Sequence, residues 1–162
     1  MGRRPPPDAS YEDELTVEPL YEDSFVVTAG MHSRWARRRK IDLAELIDEP
    51  WMLTAPDTWN HRMLAEAFRA RDLAMPKIRV VTDSIQLRTE LVGNGPFVTA
   101  LAESVARKNG LKLLPVDLSA RVLSVVIITL KNRTLSPVAQ LFIDHVRDVT
   151  RPLREGLSVS RQ

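Results

Sequence analysis

No cysteine occurs in this sequence, which excludes disulfides, thiolate metal sites and thiol nucleophiles. Its three histidines, His32, His61 and His145, share no metal-like spacing. Neither Ser104 nor Asp117 has a positioned histidine that would complete a nucleophilic triad, so no enzyme, cofactor or metal site is expected. No apolar run approaches the roughly 18–20 residues that span a bilayer. The opening, Met1 to Pro7, carries Arg3 and Arg4 without an apolar segment behind them. That is not the pattern of a secretory signal, and a cytoplasmic location is expected. No internal repeat is visible.

What is present suits an ordinary globular chain. Of the 162 residues, 44% are hydrophobic and 27% charged, enough for one domain or two small lobes. With 23 basic and 21 acidic side chains the net charge is only +2, so the chain is not broadly basic as a nucleic-acid binder would be. The one dense basic run is Arg34, Arg37, Arg38, Arg39 and Lys40. It lacks a recognition-helix pattern and reads as a solvated loop, giving at most weak, unspecific DNA contact.

Strands and helices alternate along the chain, which predicts an α/β fold. Residues 1–14 read as a disordered lead-in. Leu15, Val17 and Leu20 stand near a strand, and a clear strand follows from Ser24 to Ala29. Asp42 and Glu45 form a capping box for a short helix that stops before Pro50. A strand over Trp51 to Thr54 leads to a helix capped by Asp57 or Thr58 and reaching about Arg71. Ile78 to Val81 is the next strand. Asp83 and Gln86 are expected to cap a helix through Leu91, followed by a turn over Gly93 to Pro96 and a strand from Phe97 to Leu101. A short helix ends at Asn109-Gly110, and a strand runs from Leu111 to Val116. The nearly continuous apolar run from Leu123 to Leu130 predicts a strand buried on both faces. Ser136-Pro137 starts the last helix, with an apolar stripe of Val138, Leu141, Phe142, Val146 and Val149. Beyond Pro152 a frayed polar tail, 154–162, is expected.

Several of these segments, in this order, resemble the effector regions of LysR-type transcription regulators. They are Leu20-Tyr21-Glu22-Asp23 followed by an apolar strand, His32 and the arginine-rich loop; Ile41 to Leu46 with Glu49-Pro50-Trp51; Val92-Gly93-Asn94-Gly95-Pro96-Phe97-Val98; and Lys131 to Pro137 followed by Phe142-Ile143. The likeness covers about Leu15 to Leu153. It implies a fold like that of type 2 periplasmic binding proteins, with two α/β lobes joined by two crossing strands around a small-molecule cleft. One complete lobe is expected over about residues 21–121, with part of the other from 15–20 and 122–151. The winged helix-turn-helix and most of the first lobe are expected to be missing. Two residues depart from the family's pattern: Phe97 replaces a customary second glycine, and Ala102 a frequent proline.

The resemblance also implies a small-molecule effector, an organic anion by the character of the site, and a homo-oligomer. DNA would be met only through the helix-turn-helix domain, and no membrane is involved. Thr54-Ala55-Pro56 lies where a strand ends and a helix begins, so free N–H groups and the helix dipole meet there as in an anion site. The family likeness puts the same stretch on the cleft. The competing reading is that Thr54 merely ends a strand. Thr99, on the strand after the glycine turn, faces either the cleft or the core. Thr82, Asp83 and Ser84 read as capping residues. The alternative to a regulator module is an extracytoplasmic solute-binding protein of similar fold.

Overall fold

A computed structural model describes residues 14–118 and 122–159, with side chains as far as residue 153. The expected lead-in lies, but for Glu14, outside the described residues. The chain divides into two compact units: residues 24–121, and residues 1–23 together with 122–162.

The first strand, β1 (Leu15–Ala29), belongs to both units. It is one strand of 15 residues where the sequence suggests two short pieces. Glu18 and Glu22, poor strand formers that break the apolar pattern in sequence, lie within this strand, which pairs with the strands Val98–Ala102, Lys112–Leu113 and Val122–Leu130.

In the unit of residues 24–121, β2 (Trp51–Leu53), β3 (Ile78–Val81), β4 (Val98–Ala102) and β5 (Lys112–Leu113) assemble with β1 in the order β3-β2-β4-β1-β5. The strands β3, β2 and β4 run parallel, while β1 is antiparallel to β4 and β5. Three helices cover this sheet: α1 (Trp59–Arg69), α2 (Ile85–Asn94) and α3 (Glu103–Lys108). Neighbouring residues of a strand point to opposite faces, and β2 uses both. Trp51 meets Phe68 of α1 edge-to-face at 5.8 Å, while Met52 clusters with Val92 of α2 and Ala106 of α3. Every residue of β2 is buried, as befits a parallel strand with helices on both sides. A single turn of 3-10 helix, Leu43–Leu46, closes the Trp51 face. The Leu46 carbonyl accepts the Trp51 indole N–H at 2.7 Å. Its capping box is the expected one: Asp42 accepts from the Ala44 N–H, and Glu45 accepts from the Asp42 N–H at 3.0 Å.

The helix α2 differs from the sequence reading at both ends. Ser84 rather than Asp83 is the cap, accepting the Leu87 N–H at 3.2 Å. Gly93 and Asn94 belong to the helix, not to the turn after it. A glycine costs a helix about 1 kcal/mol, and the burial of Val92 one residue earlier outweighs it. Gly110 takes the left-handed conformation, φ +64°, just after the Asn109 C-cap of α3, as the Asn-Gly pair predicts.

In the other unit, β6 (Val122–Leu130) pairs with β1, and α4 (Pro137–Val159) follows. Ser136 caps α4 by accepting the Ala139 N–H at 3.2 Å, and Pro137 is its first residue. Arg147 of α4 makes a two-pronged ion pair with Glu18 of β1, at 2.6 and 2.8 Å. Two expectations fail here. No residue of β6 is buried, because β1 is its only sheet neighbour among the described strands. The last helix passes through Pro152 to Val159; a proline removes one hydrogen bond from a helix, and the remaining turns continue without it.

Candidate functional site

Parallel strands followed by helices bring several helix N-termini to one edge of a sheet, where ligands of α/β proteins bind. Here that edge carries Thr54 after β2, Thr82 to Ser84 after β3, and Ala102 at the end of β4. The ends of β2 and β3 are stitched together by the Thr82 N–H, which donates to the Leu53 carbonyl at 2.9 Å. The antiparallel β1 contributes Phe25, opposite Ala102 in the ladder. Its ring stands edge-on to Trp59, the first residue of α1, at 5.7 Å.

Thr54 is buried, and its hydroxyl lies 2.5 Å from that of Thr58. Thr58 is the N-cap of α1: it accepts the His61 N–H and its hydroxyl donates to the Ala55 carbonyl at 2.7 Å. His61 returns to this segment through Nδ1, 3.3 Å from the Thr54 carbonyl. Thr54 to Pro56 therefore form a turn tied to the start of a helix by three side chains. Thr58, not Asp57, is the cap, because its side chain can reach the third amide of the helix. Thr99 has no exposed surface; its hydroxyl donates to the Met52 carbonyl at 2.7 Å. Thr54 thus follows the end of β2 at the edge, whereas Thr99 stands on the neighbouring β4 inside the sheet.

Arg88 escapes a reading based on motifs. It lies on α2 and is 97% buried, with only 3% of its surface exposed. Nε and Nη1 of its guanidinium have no hydrogen-bond partner. Burial lowers its pKa, against a smaller opposing influence from Asp83, yet a guanidinium stays cationic at ordinary pH. The signal in the sequence is its spacing: Arg88 stands four residues before the buried Val92, on the inner stripe of the helix.

The basic loop is held by its own surroundings. Arg34 pairs with Glu49 and Arg38 with Glu45. Both guanidinium groups also lie over the Trp35 ring, at 4.9 and 5.7 Å. A hollow of about 540 Å³ beside it is lined by His32, Arg34, Glu49 and Asn94 among others. It lies at the end of the sheet where β2 begins, opposite the edge that carries Thr54. No helix among the described residues is long and apolar enough to cross a membrane.

Comparison with known proteins agrees with this geometry. The profile of the LysR substrate binding domain matches residues 2–151. The regulator CysL of Bacillus subtilis, an HTH-type transcriptional regulator, is 30% identical over 98 residues, which make up 60% of this chain and 32% of CysL. The chain thus spans about a third of that relative's length. Among solved structures, the CcmR regulatory domain of Synechocystis PCC6803 in complex with 2-PG superposes with a TM-score of 0.72 at 19% identity, covering 91% of this chain and 71% of that one. The effector binding domain of QuiR in complex with shikimate gives 0.64 at 19% identity, covering 90% and 69%. The LysR-family regulator HinK of Pseudomonas aeruginosa gives 0.63 at 24% identity, covering 90% and 52%. With its α/β sheet of the type 2 periplasmic-binding-protein kind and a profile match along nearly its whole length, this chain belongs to the LysR substrate binding domain family.

Proposed function

We propose that this chain is the effector-sensing part of a LysR-type transcription regulator, working in the cytoplasm and not as an enzyme. Its effector is a small organic anion held at the edge formed by Thr54, Ala55 and Pro56, with Thr99 bracing that wall from inside the sheet. The observation that carries this reading is the hydroxyl pair of Thr54 and Thr58 at the head of α1. The single Thr58 hydroxyl proton goes to the Ala55 carbonyl, which leaves Thr54 as the donor between the two hydroxyls. Rotation of both hydroxyls reverses the relay, so that Thr58 donates to Thr54 and Thr54 donates to an anion. Such chained hydrogen bonds reinforce one another, and the positive end of α1 favours the same charge.

The family assignment favours a regulator over an extracytoplasmic solute-binding protein of the same fold. Two of the similar structures contain 2-PG and shikimate, which makes these two compounds the first candidates to test. Contact with DNA belongs to a helix-turn-helix segment of the regulator, since the Arg34–Lys40 loop spends two of its arginines on Glu45 and Glu49. Self-association through α4 completes the proposal.

Calorimetric titration of 2-PG, shikimate and simple carboxylates against the chain, and against a Thr54→Val variant, tests the site. A charge-assisted hydrogen bond contributes roughly 1.5–3 kcal/mol, so the variant should bind about 10- to 150-fold more weakly. Equal affinities would return Thr54 to a purely structural role.

A further inference from the structure

We infer that the buried guanidinium of Arg88 is a binding group for an oxyanion that enters at the first turn of α2. The inference rests on the effector reading above and adds the cation that recognises the ligand's carboxylate or phosphate group. Three observations meet there. The first is the guanidinium itself, 97% buried with two nitrogens unpartnered. A buried guanidinium that leaves two nitrogens without hydrogen bonds costs a fold stability, so packing alone gives little reason for an arginine at this position. Its neighbour Thr89 is different: that buried hydroxyl donates back to the Ile85 and Gln86 carbonyls and is satisfied within the helix.

The second observation is direction. Helical side chains lean towards the N-terminus of their helix, so Arg88 reaches over the turn that begins at Ser84. The influence of Asp83 on Arg88 agrees with this. The third is the turn itself, which is open. Asp83, Ser84, Ile85, Gln86 and Leu87 are all exposed, and for Ile85 and Leu87 that exposure is apolar. The first internal bond of α2 runs from the Arg88 N–H to the Ser84 carbonyl, which leaves the Ile85 and Gln86 amides ahead of the ladder. Two amides, a helix dipole and a guanidinium make a site for an oxyanion. Ile85 and Leu87 flank it with apolar surface suited to the carbon part of a small molecule.

The test is a titration of the full chain with inorganic phosphate and, separately, with sodium acetate at constant ionic strength. The amide resonances of Ile85, Gln86, Thr54 and Thr58 are followed by NMR. The expected result is a saturable shift at Ile85 and Gln86, tighter for whichever anion matches the natural ligand group. In Arg88→Met the apparent Kd should rise by about tenfold or more, while thermal stability rises because a buried charge with two unsatisfied nitrogens has gone. Arg88→Lys, which keeps the charge but not the planar fork, should fall between the two. No saturable shift at Ile85 and Gln86 in the unaltered chain, or equal Kd values in the unaltered chain and Arg88→Met, would overturn the inference. Shifts at Thr54 and Thr58 that survive Arg88→Met would leave the effector edge standing without Arg88. Conversely, Arg88-dependent binding that ignores Thr54→Val would keep Arg88 and remove Thr54 from the site.

Discussion

The hydroxyl of Thr99 on β4 donates to the carbonyl of Met52 on β2 at 2.7 Å, with both residues fully buried. The register between these strands contains one residue pair, Trp51 with Val98, and a shift in the β2–β3 ladder follows at Trp51/Met52. A side chain therefore continues the link between strands where the backbone pairing stops. Thr99→Val keeps the shape and removes the donor. Leaving a buried carbonyl short of its partner costs about 1–3 kcal/mol, to be read as a lower urea midpoint with an unchanged slope. Thr99→Ser, which keeps the hydroxyl, should lose less; an equal loss would show that the methyl group, not the hydrogen bond, matters.

Gly30 and Gly110 should respond to alanine for different reasons. A Cβ on Gly30 would stand 2.8 Å from the Gly93 carbonyl oxygen and 2.9 Å from that of Val92. Both are backbone atoms at the C-terminal end of α2, so β1 or the helix must move. At Gly110 a Cβ meets nothing within 4 Å, and only the left-handed φ is strained. Gly110→Ala should cost about 1–2 kcal/mol, and Gly30→Ala clearly more. Thermal unfolding of the two variants side by side checks the order.

Acid should weaken the capping box of the 3-10 turn. The Glu45 carboxyl is held below its ordinary value of 4.5, first by the Asp42 backbone N–H and then by Arg38. A carboxyl whose pKa is lowered by folding stabilises the fold above its unfolded pKa. That contribution is lost as pH falls through the lower, folded value. The stability gap between the unaltered chain and Glu45→Gln should therefore be constant above about pH 5 and close progressively below pH 4.5. Urea unfolding at a series of pH values reads it directly. A gap that is the same at pH 3 and pH 7 would mean that the charge on Glu45 has no part in the cap.

The helix α4 turns Val138, Leu141, Phe142 and Val149 outward, with Val138 77% and Phe142 67% exposed. Apolar patches of this kind mark association surfaces. Light scattering should show dimers or larger species at high concentration. Phe142→Glu combined with Leu141→Glu should shift the population towards monomer. A chain that is monomeric throughout would sink the association proposal.

Much of this protein was settled locally, by residues within a few positions of one another. The Asp42–Glu45 box, the Ser136-Pro137 start of α4, the Asn109-Gly110 stop of α3 and the strand Ile78–Val81 all follow from short-range chemistry, such as a side-chain oxygen reaching an amide or a glycine taking a positive φ. Thr54 at a strand end before a capped helix was legible for the same reason. Tertiary structure decided what depends on distant partners. Only the pairing of β4 with β2 turned the Thr99 hydroxyl to Met52, 47 residues away in sequence. Only the packing of α2 on the sheet buried Arg88 with two of its nitrogens lacking hydrogen bonds. The apolar run of β6 carries the same local signal whether its faces are covered or open. Its exposure was decided by how many strands stand beside it, because burial belongs to an assembly of segments rather than to any one of them.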